Sequence, residues 1–345
     1  MAYSNVDKST SFMNPVLYTG TGASNAQTGI GFQPAMTWLK SRSAATSHYL
    51  FDSARGATEA IFPDLTDTEA ANAEYLKSFD ADGFTLGTNA GINDNTKTYV
   101  AWNWKAGTSS GVDFSSGDIT PTAYSINTTS GLGIYHYSCT GANATIAHGL
   151  SSAPKMLITK SLGDTSPWAV WHTGLTDATQ YLVLNTTAAE ATGTNMWNST
   201  APSSTVISLG ADGQTNGSGK NNIMYAFSEV TGYSAFGKYK GTGNADGPFV
   251  YTGFKPSVIM VKRYDSGTIN WVVADNKREG YNPDNDPLYP DVTVAEGTAD
   301  NINICSTGFK IINSGDDYNN DGGYYIYAAF GQSIVGSNGV VGTAR

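Results

Sequence analysis

Tyr-Thr-Gly-Phe-Lys-Pro-Ser-Val-Ile-Met-Val-Lys-Arg, at residues 251–263, is the stretch that decides the fold of this chain. Gly253 tolerates a positive φ, and Pro256 fixes its own φ and biases the residue before it toward an extended conformation. The apolar run that follows is rich in β-branched residues and ends at two charged residues, Lys262 and Arg263. The stretch therefore predicts a turn that leads into a core strand.

The same pattern of turn, proline and apolar run occurs twice more in the chain. Gly31-Phe32-Gln33-Pro34 leads into residues 35–42, and Gly149-Leu150 with Ala153-Pro154 leads into residues 155–160. An aromatic-rich strand pattern closes each copy at a similar distance from its turn. A unit that recurs in this order predicts tandem repeats.

The composition favours an all-β fold for these repeats. The 345 residues exceed one ordinary small domain, and only 14% are charged, whereas the chain holds 39 Gly and 20 Tyr. Short strands joined by turns have this composition. Each repeat has room for about six or seven short strands, roughly the number in one small sandwich. We expect three tandem β-sandwich repeats, of jelly-roll or lectin-like type, with short linkers.

The repeats set the expected boundaries. We predict an N-terminal arm at residues 1–16, β-sandwich repeats at 17–106, 134–232 and 233–332, a connecting segment at 107–133 and a C-terminal tail at 333–345. The arm and the tail are expected to be docking segments.

Charge and hydropathy exclude several partners. A formal net charge of −10 does not fit a nucleic-acid-binding protein, which needs a basic surface. The first residues lack the basic and apolar regions of a signal peptide, and no apolar run approaches the roughly 18 residues of a membrane span. We expect synthesis in a cytoplasm, without membrane insertion. The two cysteines, Cys139 and Cys305, are expected to be buried free thiols, with a disulfide between repeats as the alternative.

No enzymatic constellation stands out in the sequence. The four histidines are not spaced as metal ligands, and neither a nucleophile elbow nor a phosphate-binding loop occurs. Asp52 and Asp275 end core strands at matching places, where the second repeat has His172. This substitution pattern favours a strand-end surface position over a catalytic carboxylate pair, and a glycosidase pair remains the alternative.

One loop resembles the first half of a calcium-binding loop. Asp317, Asn319 and Asp321 have the spacing Asp-x-Asn-x-Asp-Gly, but Ala328 stands where the bidentate glutamate belongs. The hypotheses are a weak Ca²⁺ site, with no other cofactor, or a plain hairpin turn. The acidic loop at residues 282–287 has the same two interpretations.

Tryptophans provide a further hypothesis, a carbohydrate platform. Most tryptophans lie on predicted strands and are expected in the core. Trp197 lies in the polar segment Asn195-Met196-Trp197-Asn198-Ser199 and is predicted to be exposed. It is the candidate for contact with a glycan.

Several short motifs are each weak evidence for a protein family, but their order along the chain is more specific. They are Tyr18-Thr19-Gly20-Thr21-Gly22, Gly31-Phe32-Gln33-Pro34, Leu50-Phe51-Asp52-Ser53-Ala54-Arg55-Gly56, Phe79-Asp80-Ala81-Asp82-Gly83-Phe84, Tyr99-Val100-Ala101-Trp102, Gly247-Pro248-Phe249-Val250-Tyr251-Thr252-Gly253-Phe254 and Thr343-Ala344-Arg345. Together they resemble a family of repeat-built virion proteins of marine tailed bacteriophages, of the tail-fibre or head-decoration type. The offset of Ala153-Pro154 in the second repeat departs from this pattern.

The resemblance implies a location on the virion exterior and a non-enzymatic structural role, with synthesis in the host bacterial cytoplasm. The implied partners are other virion proteins and further copies of the chain, with a trimer favoured. A lectin-like protein that binds host surface glycans is the alternative function, and a polysaccharide depolymerase is the third. The resemblance supplies no catalytic residues.

Overall fold

The computed structural model describes residues 6–278, 282 and 286–333. The chain is nearly all β, with 42% of its residues in strands and 2% in helices, which confirms the all-β part of the predicted fold class. The described strands form six antiparallel sheets. The described helices are a 3-10 turn at Ser9–Ser11 and one short helix, α1, at Ala90–Asn93. No helix in these ranges is long and apolar enough to cross a membrane.

The first segment of the chain, residues 13–104, forms a larger and a smaller sheet. Its strands are β1 (Met13–Thr19), β2 (Asn25–Thr28), β3 (Met36–Ser41), β4 (Tyr49–Asp52), β5 (Gly56–Ile61), β6 (Ala70–Ala71), β7 (Leu76–Asp80), β8 (Gly83–Leu86) and β9 (Thr98–Trp104). The larger sheet has the order β1-β9-β3-β4-β5-β6, and the smaller has the order β2-β8-β7. The predicted strand pair about Asp82-Gly83 is confirmed as β7 and β8.

The second segment, residues 123–228, has a similar plan, with one more strand in the larger sheet and one fewer in the smaller sheet. Its strands are β10 (Ala123–Asn127), β11 (Leu132–Ser138), β12 (Ala144–Ala147), β13 (Pro154–Ser161), β14 (Ala169–His172), β15 (Gln180–Val183), β16 (Ala191–Thr192), β17 (Val206–Leu209) and β18 (Asn221–Ser228). The larger sheet has the order β10-β11-β18-β13-β14-β15-β16, and β12 pairs with β17. Strand β10 therefore lies inside the stretch that the sequence predicted as a connecting segment.

The third segment, residues 234–333, has the same order of pairing. Its strands are β19 (Ser234–Lys240), β20 (Phe249–Tyr251), β21 (Phe254–Arg263), β22 (Trp271–Asp275), β23 (Ile302–Cys305), β24 (Gly308–Ile311) and β25 (Tyr324–Ser333). The larger sheet has the order β19-β25-β21-β22, and the smaller has the order β20-β24-β23. In all three segments the last strand (β9, β18 or β25) thus lies between β1, β11 or β19 and the strand after the proline corner.

The glycine and proline corner behaves much as its sequence predicts. Gly253 has a φ of +83°, and β21 starts at the next residue. Pro256 lies inside the strand, where the pairing with β25 shifts register between Pro256 and Val258. Proline lacks an N–H for the ladder, so a bulge is a suitable place for it.

Both faces of each larger sheet are buried, which explains why the strands after the corner lack polar alternation. One face packs on residues of the smaller sheet in the same segment. Leu39, Phe51 and Phe84, for example, belong to one buried cluster. The opposite faces of all three larger sheets share a single cluster, which includes Trp102, Tyr225 and Phe330. Each fully buried aromatic ring stabilises the fold by roughly 2–3 kcal/mol, so this shared cluster ties the three segments together.

Two predicted boundaries differ from the strand limits. Strand β1 begins at Met13, inside the predicted arm, and pairs along its length with β9. In the predicted connecting segment, residues 123–127 form β10 and Phe114 is buried. Almost all of the predicted C-terminal tail lies outside the described residues, as do residues 283–285 of the acidic loop at 282–287.

Candidate functional site

Three matching strand ends meet at the interfaces between segments. Asp52 ends β4 and lies opposite Met36, His172 ends β14 and lies opposite Met156, and Asp275 ends β22. The exposure of Asp52 and Asp275 is 0% and that of His172 is 1%. The sequence correctly matched these positions, but its prediction of a surface position is wrong. The reason is that the second face of each larger sheet, which a lone unit would expose, is covered by the other two segments.

Asp52 joins the first segment to the second. The Tyr225 hydroxyl of β18 donates to Asp52 Oδ2 at 2.6 Å, and Arg55 Nε donates to the same oxygen at 2.6 Å. The backbone N–H groups of Ala54 and Arg55 donate to Oδ1, each at 3.0 Å. Burial alone would lower the pKa of Arg55, but the attraction of Asp52 outweighs it and raises that pKa above its ordinary value. The guanidinium of Arg55 is therefore held in its charged form beside Asp52.

Asp275 joins the third segment to the first in the same manner. Trp102 Nε1 of β9 donates to Asp275 Oδ2 at 2.9 Å, and Arg278 Nε donates to it at 2.8 Å. The Arg278 N–H donates to Oδ1 at 3.2 Å. Arg278 also pairs with Glu296 at 3.0 Å. An aspartate with an arginine three residues later thus recurs as one structural unit.

His172 joins the second segment to the third without an ion pair. Its Nδ1 accepts from the Gly174 N–H at 2.9 Å, so Nε2 carries the proton and donates to the Tyr327 carbonyl at 3.1 Å. Burial lowers the pKa of His172 to about 4, which makes the ring neutral at pH 7. Leu175 stands three residues later, where the other two segments have arginine.

These contacts close a ring. The first segment contacts the second through Asp52, the second contacts the third through His172, and the third contacts the first through Asp275. A head-to-tail contact that returns to its starting point is the geometry of a cyclic trimer, and here one chain supplies all three members.

A second set of contacts between the segments is made at the start of β4, β14 and β22. His48 Nε2 lies 2.9 Å from the Tyr289 carbonyl, and Trp168 Nε1 donates to the Phe62 carbonyl at 3.0 Å. Trp271 Nε1 donates to the Val183 carbonyl at 3.0 Å. Each bond joins two different segments, so every interface has at least two polar contacts.

Three lysines, which the sequence analysis missed as a group, also lie at these interfaces. Lys40, Lys160 and Lys262 occupy the same place on β3, β13 and β21, and each is 0–1% exposed. Lys40 Nζ donates to the carbonyls of Ser41 at 3.0 Å and of Thr293 in the third segment at 3.2 Å. Burial lowers the pKa of each lysine to about 8. The signal was present, because each repeated strand carries this lysine in its sequence.

A loop at the far end of each segment is held by a buried asparagine. Asn93 Oδ1 accepts from the Thr21 N–H at 2.9 Å, and Asn216 Oδ1 accepts from the Thr140 N–H at 2.7 Å. Asn319 Oδ1 accepts from the Thr242 N–H at 2.7 Å. The chain therefore carries three matching loops, Thr21-Gly22, Thr140-Gly141 and Thr242-Gly243, which are fixed by the same bond.

This role of Asn319 gives the calcium-like spacing a structural explanation, and the Ca²⁺ site stays a prediction. The side-chain oxygen of Asn319 already accepts a backbone hydrogen bond, and its Nδ2 donates to the carbonyls of Asn244 and Asn313 at 2.6 and 2.9 Å. Asp321 is exposed and Asp317 is half-buried. No group of three or more His, Cys, Asp or Glu side chains in the described ranges is placed to hold a metal ion. The spacing that suggested Ca²⁺ is that of a loop held by asparagine.

Trp197 is buried, so the prediction that it is exposed is wrong. The side chain is 1% exposed and packs with Met196, Ile207 and Leu209 in the cluster beneath the smaller sheet of the second segment. Its polar neighbours misled the sequence analysis, because Asn198 and Ser199 form an exposed turn with φ of +50° at both residues. A buried ring offers no face on which a sugar can stack.

The two cysteines are free and partly buried. Cys139 follows β11, and Cys305 ends β23 in another segment. Burial raises the pKa of Cys139 to about 12, which keeps the thiol protonated and unreactive. This confirms the expectation of free thiols rather than a disulfide.

These features define a class of protein, an all-β chain whose three sheet pairs close into a ring around a common core. Residues 8–333 match the family described as Domain of unknown function (DUF7483), and the chain belongs to this family. No curated protein and no solved structure matches the chain.

Proposed function

We propose that this protein is a non-enzymatic structural component of a bacteriophage virion, built from three tandem β-sandwich repeats and carried on the particle exterior. It would form part of a tail fibre or of a head decoration or head fibre, with other virion proteins as partners. The observation that carries the proposal is the closed ring of buried contacts through Asp52, His172 and Asp275.

The ring supports an assembly role because it makes the three segments one rigid body. Buried ion pairs and a shared apolar cluster resist the independent motion of segments that is expected when interfaces are small and polar. The resemblance of the sequence motifs to repeat-built virion proteins gives the proposed location.

The geometry also refines the expected trimer. A threefold arrangement that a fibre or decoration protein would build from three copies is supplied here by one chain. The matching loops at Thr21-Gly22, Thr140-Gly141 and Thr242-Gly243 would then present three similar surfaces to a partner with threefold symmetry or to the host. One copy of the chain could therefore occupy a position that other proteins fill with a trimer.

Mass spectrometry and cryo-EM of the purified phage particles that encode the chain test this proposal. We expect the chain in the particle, as density on the head surface or the tail with three sheet pairs around one axis. Absence of the chain from purified particles that carry all other structural proteins would overturn the proposal. Density that requires three chains for each ring would overturn the single-chain form.

A further inference from the structure

The threefold arrangement is broken at one interface by β10. Strands β1, β11 and β19 occupy the same place beside the closing strands β9, β18 and β25. Only β11 carries another described strand on its outer edge, and that strand is β10. The chain that leads to β10 is fixed to it, because Thr108 and Ile126 exchange two backbone hydrogen bonds of 2.9 Å. The insertion is therefore an ordered part of the structure.

This insertion makes one wall of a cleft. The cleft has a volume of about 490 Å³, which is in the usual range for small-ligand sites. The opposite wall comes from the first segment, where Gln33 and Ser53 lie in the turns around β3 and β4 and Phe79 lies on β7. Lys105, Ser109 and Tyr124 line the side of the insertion.

Two half-buried aromatic rings line the cleft, Phe79 from the first segment and Tyr124 from the insertion. Tyr124 is held firmly, because its ring packs edge-on against Phe114 at 4.8 Å and its hydroxyl accepts from the Val112 N–H at 3.2 Å. Ser53 and Ser109 are exposed and present hydroxyl groups. Aromatic faces combined with hydroxyl donors and acceptors suit the apolar faces and polar edges of a sugar ring.

Lys105 is the only charged residue that lines the cleft. Its Nζ lies 5.7 Å from the centre of the Phe12 ring, and no carboxylate in the described part of the chain forms an ion pair with it. An unpaired ammonium group in a chain of net charge −10 attracts one negative charge. A single cation suits one carboxylate better than a polyphosphate, which needs several positive groups.

We propose that this cleft binds an acidic saccharide, a sugar unit that carries a carboxylate. The sugar ring lies between Phe79 and Tyr124, its carboxylate accepts from Lys105 Nζ, and its hydroxyl groups bond to Ser53 and Ser109. The site goes beyond the structural role proposed above and does not depend on it. It replaces Trp197 as the place where a glycan is recognised.

Calorimetric titration of the full chain with trigalacturonate and with the neutral galactotriose tests the site. We expect trigalacturonate to bind more tightly than galactotriose, and Lys105→Gln to weaken its binding about tenfold, since charge-assisted hydrogen bonds are among the strong ones. Ser109→Trp, which fills the cleft, should abolish binding. Lys238→Gln removes an exposed lysine on β19, in the third segment, and is the matched control that should leave binding unchanged.

Ser53→Trp is a second blocking variant, which fills the cleft from the side of the first segment. It still tests the site if Ser109→Trp fails to fold. A midpoint of thermal unfolding equal to that of the wild type shows that a variant is folded. The proposal fails if folded wild-type protein does not bind trigalacturonate, or if both tryptophan variants bind it as the wild type does. Equal binding of galactotriose and trigalacturonate, with no effect of Lys105→Gln, would overturn the acidic class of ligand.

Discussion

The interfaces made by Asp52 and Asp275 bury a carboxylate that needs a cationic partner, whereas the interface made by His172 buries no carboxylate. An aspartate at this buried position is charged, and each of the two has an arginine three residues later that donates to it. The histidine is neutral and needs only one donor and one acceptor, which Gly174 and Tyr327 provide. Leu175 then fills the place of the arginine. The three interfaces share a backbone geometry but differ in whether they bury charge.

This difference shows what the position requires. A buried carboxylate without a partner costs several kcal/mol, so aspartate and arginine must occur together. A buried neutral imidazole with both nitrogens bonded carries no such requirement. All three segments therefore place a polar atom toward the next segment. The residue that supplies this atom can differ if the residue three positions later differs as well.

The largest effect is expected when this pairing is broken. Arg55→Leu copies the leucine of the His172 interface but leaves Asp52 buried and charged without its partner. We expect the free energy of unfolding to fall by about 3–5 kcal/mol. Urea denaturation followed by tryptophan fluorescence measures the loss. Arg263→Leu removes a partly exposed ion pair with Asp265 and is the control, with an expected loss of about 0–1 kcal/mol.

A double variant sharpens the same test. Asp52→His combined with Arg55→Leu places the histidine and the leucine of the second segment at the matching positions of the first. Because the buried charge is then absent, most of the stability lost in Arg55→Leu should return. A double variant no more stable than Arg55→Leu alone would show that the two kinds of interface are not interchangeable.

The second prediction concerns pH, to which the interface made by His172 should respond. Unfolded histidine binds a proton below about pH 6.5, whereas burial lowers the pKa of folded His172 to about 4. Unfolding therefore takes up a proton between these values, and the free energy of unfolding falls as the pH falls through this window. The contribution of His172 is about 3 kcal/mol between pH 7 and pH 4.

His172→Gln isolates this contribution, since glutamine can donate to the Tyr327 carbonyl but does not titrate. Urea denaturation at several pH values should show a shallower fall in stability between pH 6.5 and pH 4 for the variant than for the wild type. Parallel curves for the two proteins would contradict the burial of a neutral histidine at this interface.

The sequence predicted the strands well because their signals are local. The turn at Gly253, the strand pair about Asp82-Gly83 and the match between Asp52, His172 and Asp275 all follow from residue types within a few positions. The strands after each corner carry almost no polar alternation, a pattern typical of strands that are buried on both faces.

The candidate site was predicted less well because its contacts are distant in sequence. Tyr225 lies 173 residues from Asp52, and Trp102 lies 173 residues from Asp275. Nothing local distinguishes a strand end that faces solvent from one that faces another segment. Trp197 shows the same limit, because the polar residues around it form an exposed turn while the ring points into the core.

The smallest predicted effect concerns the apolar cluster shared by the three segments, where the side chains at matching positions differ in size rather than in charge. Trp102, Tyr225 and Ala328 occupy matching positions, opposite Trp38, Ile158 and Met260 in the strand registers. The small alanine leaves an apolar cavity of about 40 Å³, lined by residues of all three segments. At about 24 cal/mol per Å³, this cavity costs the fold about 1 kcal/mol. Ala328→Val should therefore raise the free energy of unfolding by up to that amount.

Ala329→Val is the matched control for this variant. The next residue along β25 is fully buried in the cluster on the other face of the sheet. An added side chain there meets filled space, so we expect a loss of about 1–3 kcal/mol by overpacking. If urea denaturation shows that Ala328→Val raises the free energy of unfolding and Ala329→Val lowers it, the unfilled space lies in the cluster shared by the three segments. A loss of stability in both would mean that the three segments already pack there without room, and that the difference in side-chain size is absorbed by their relative positions.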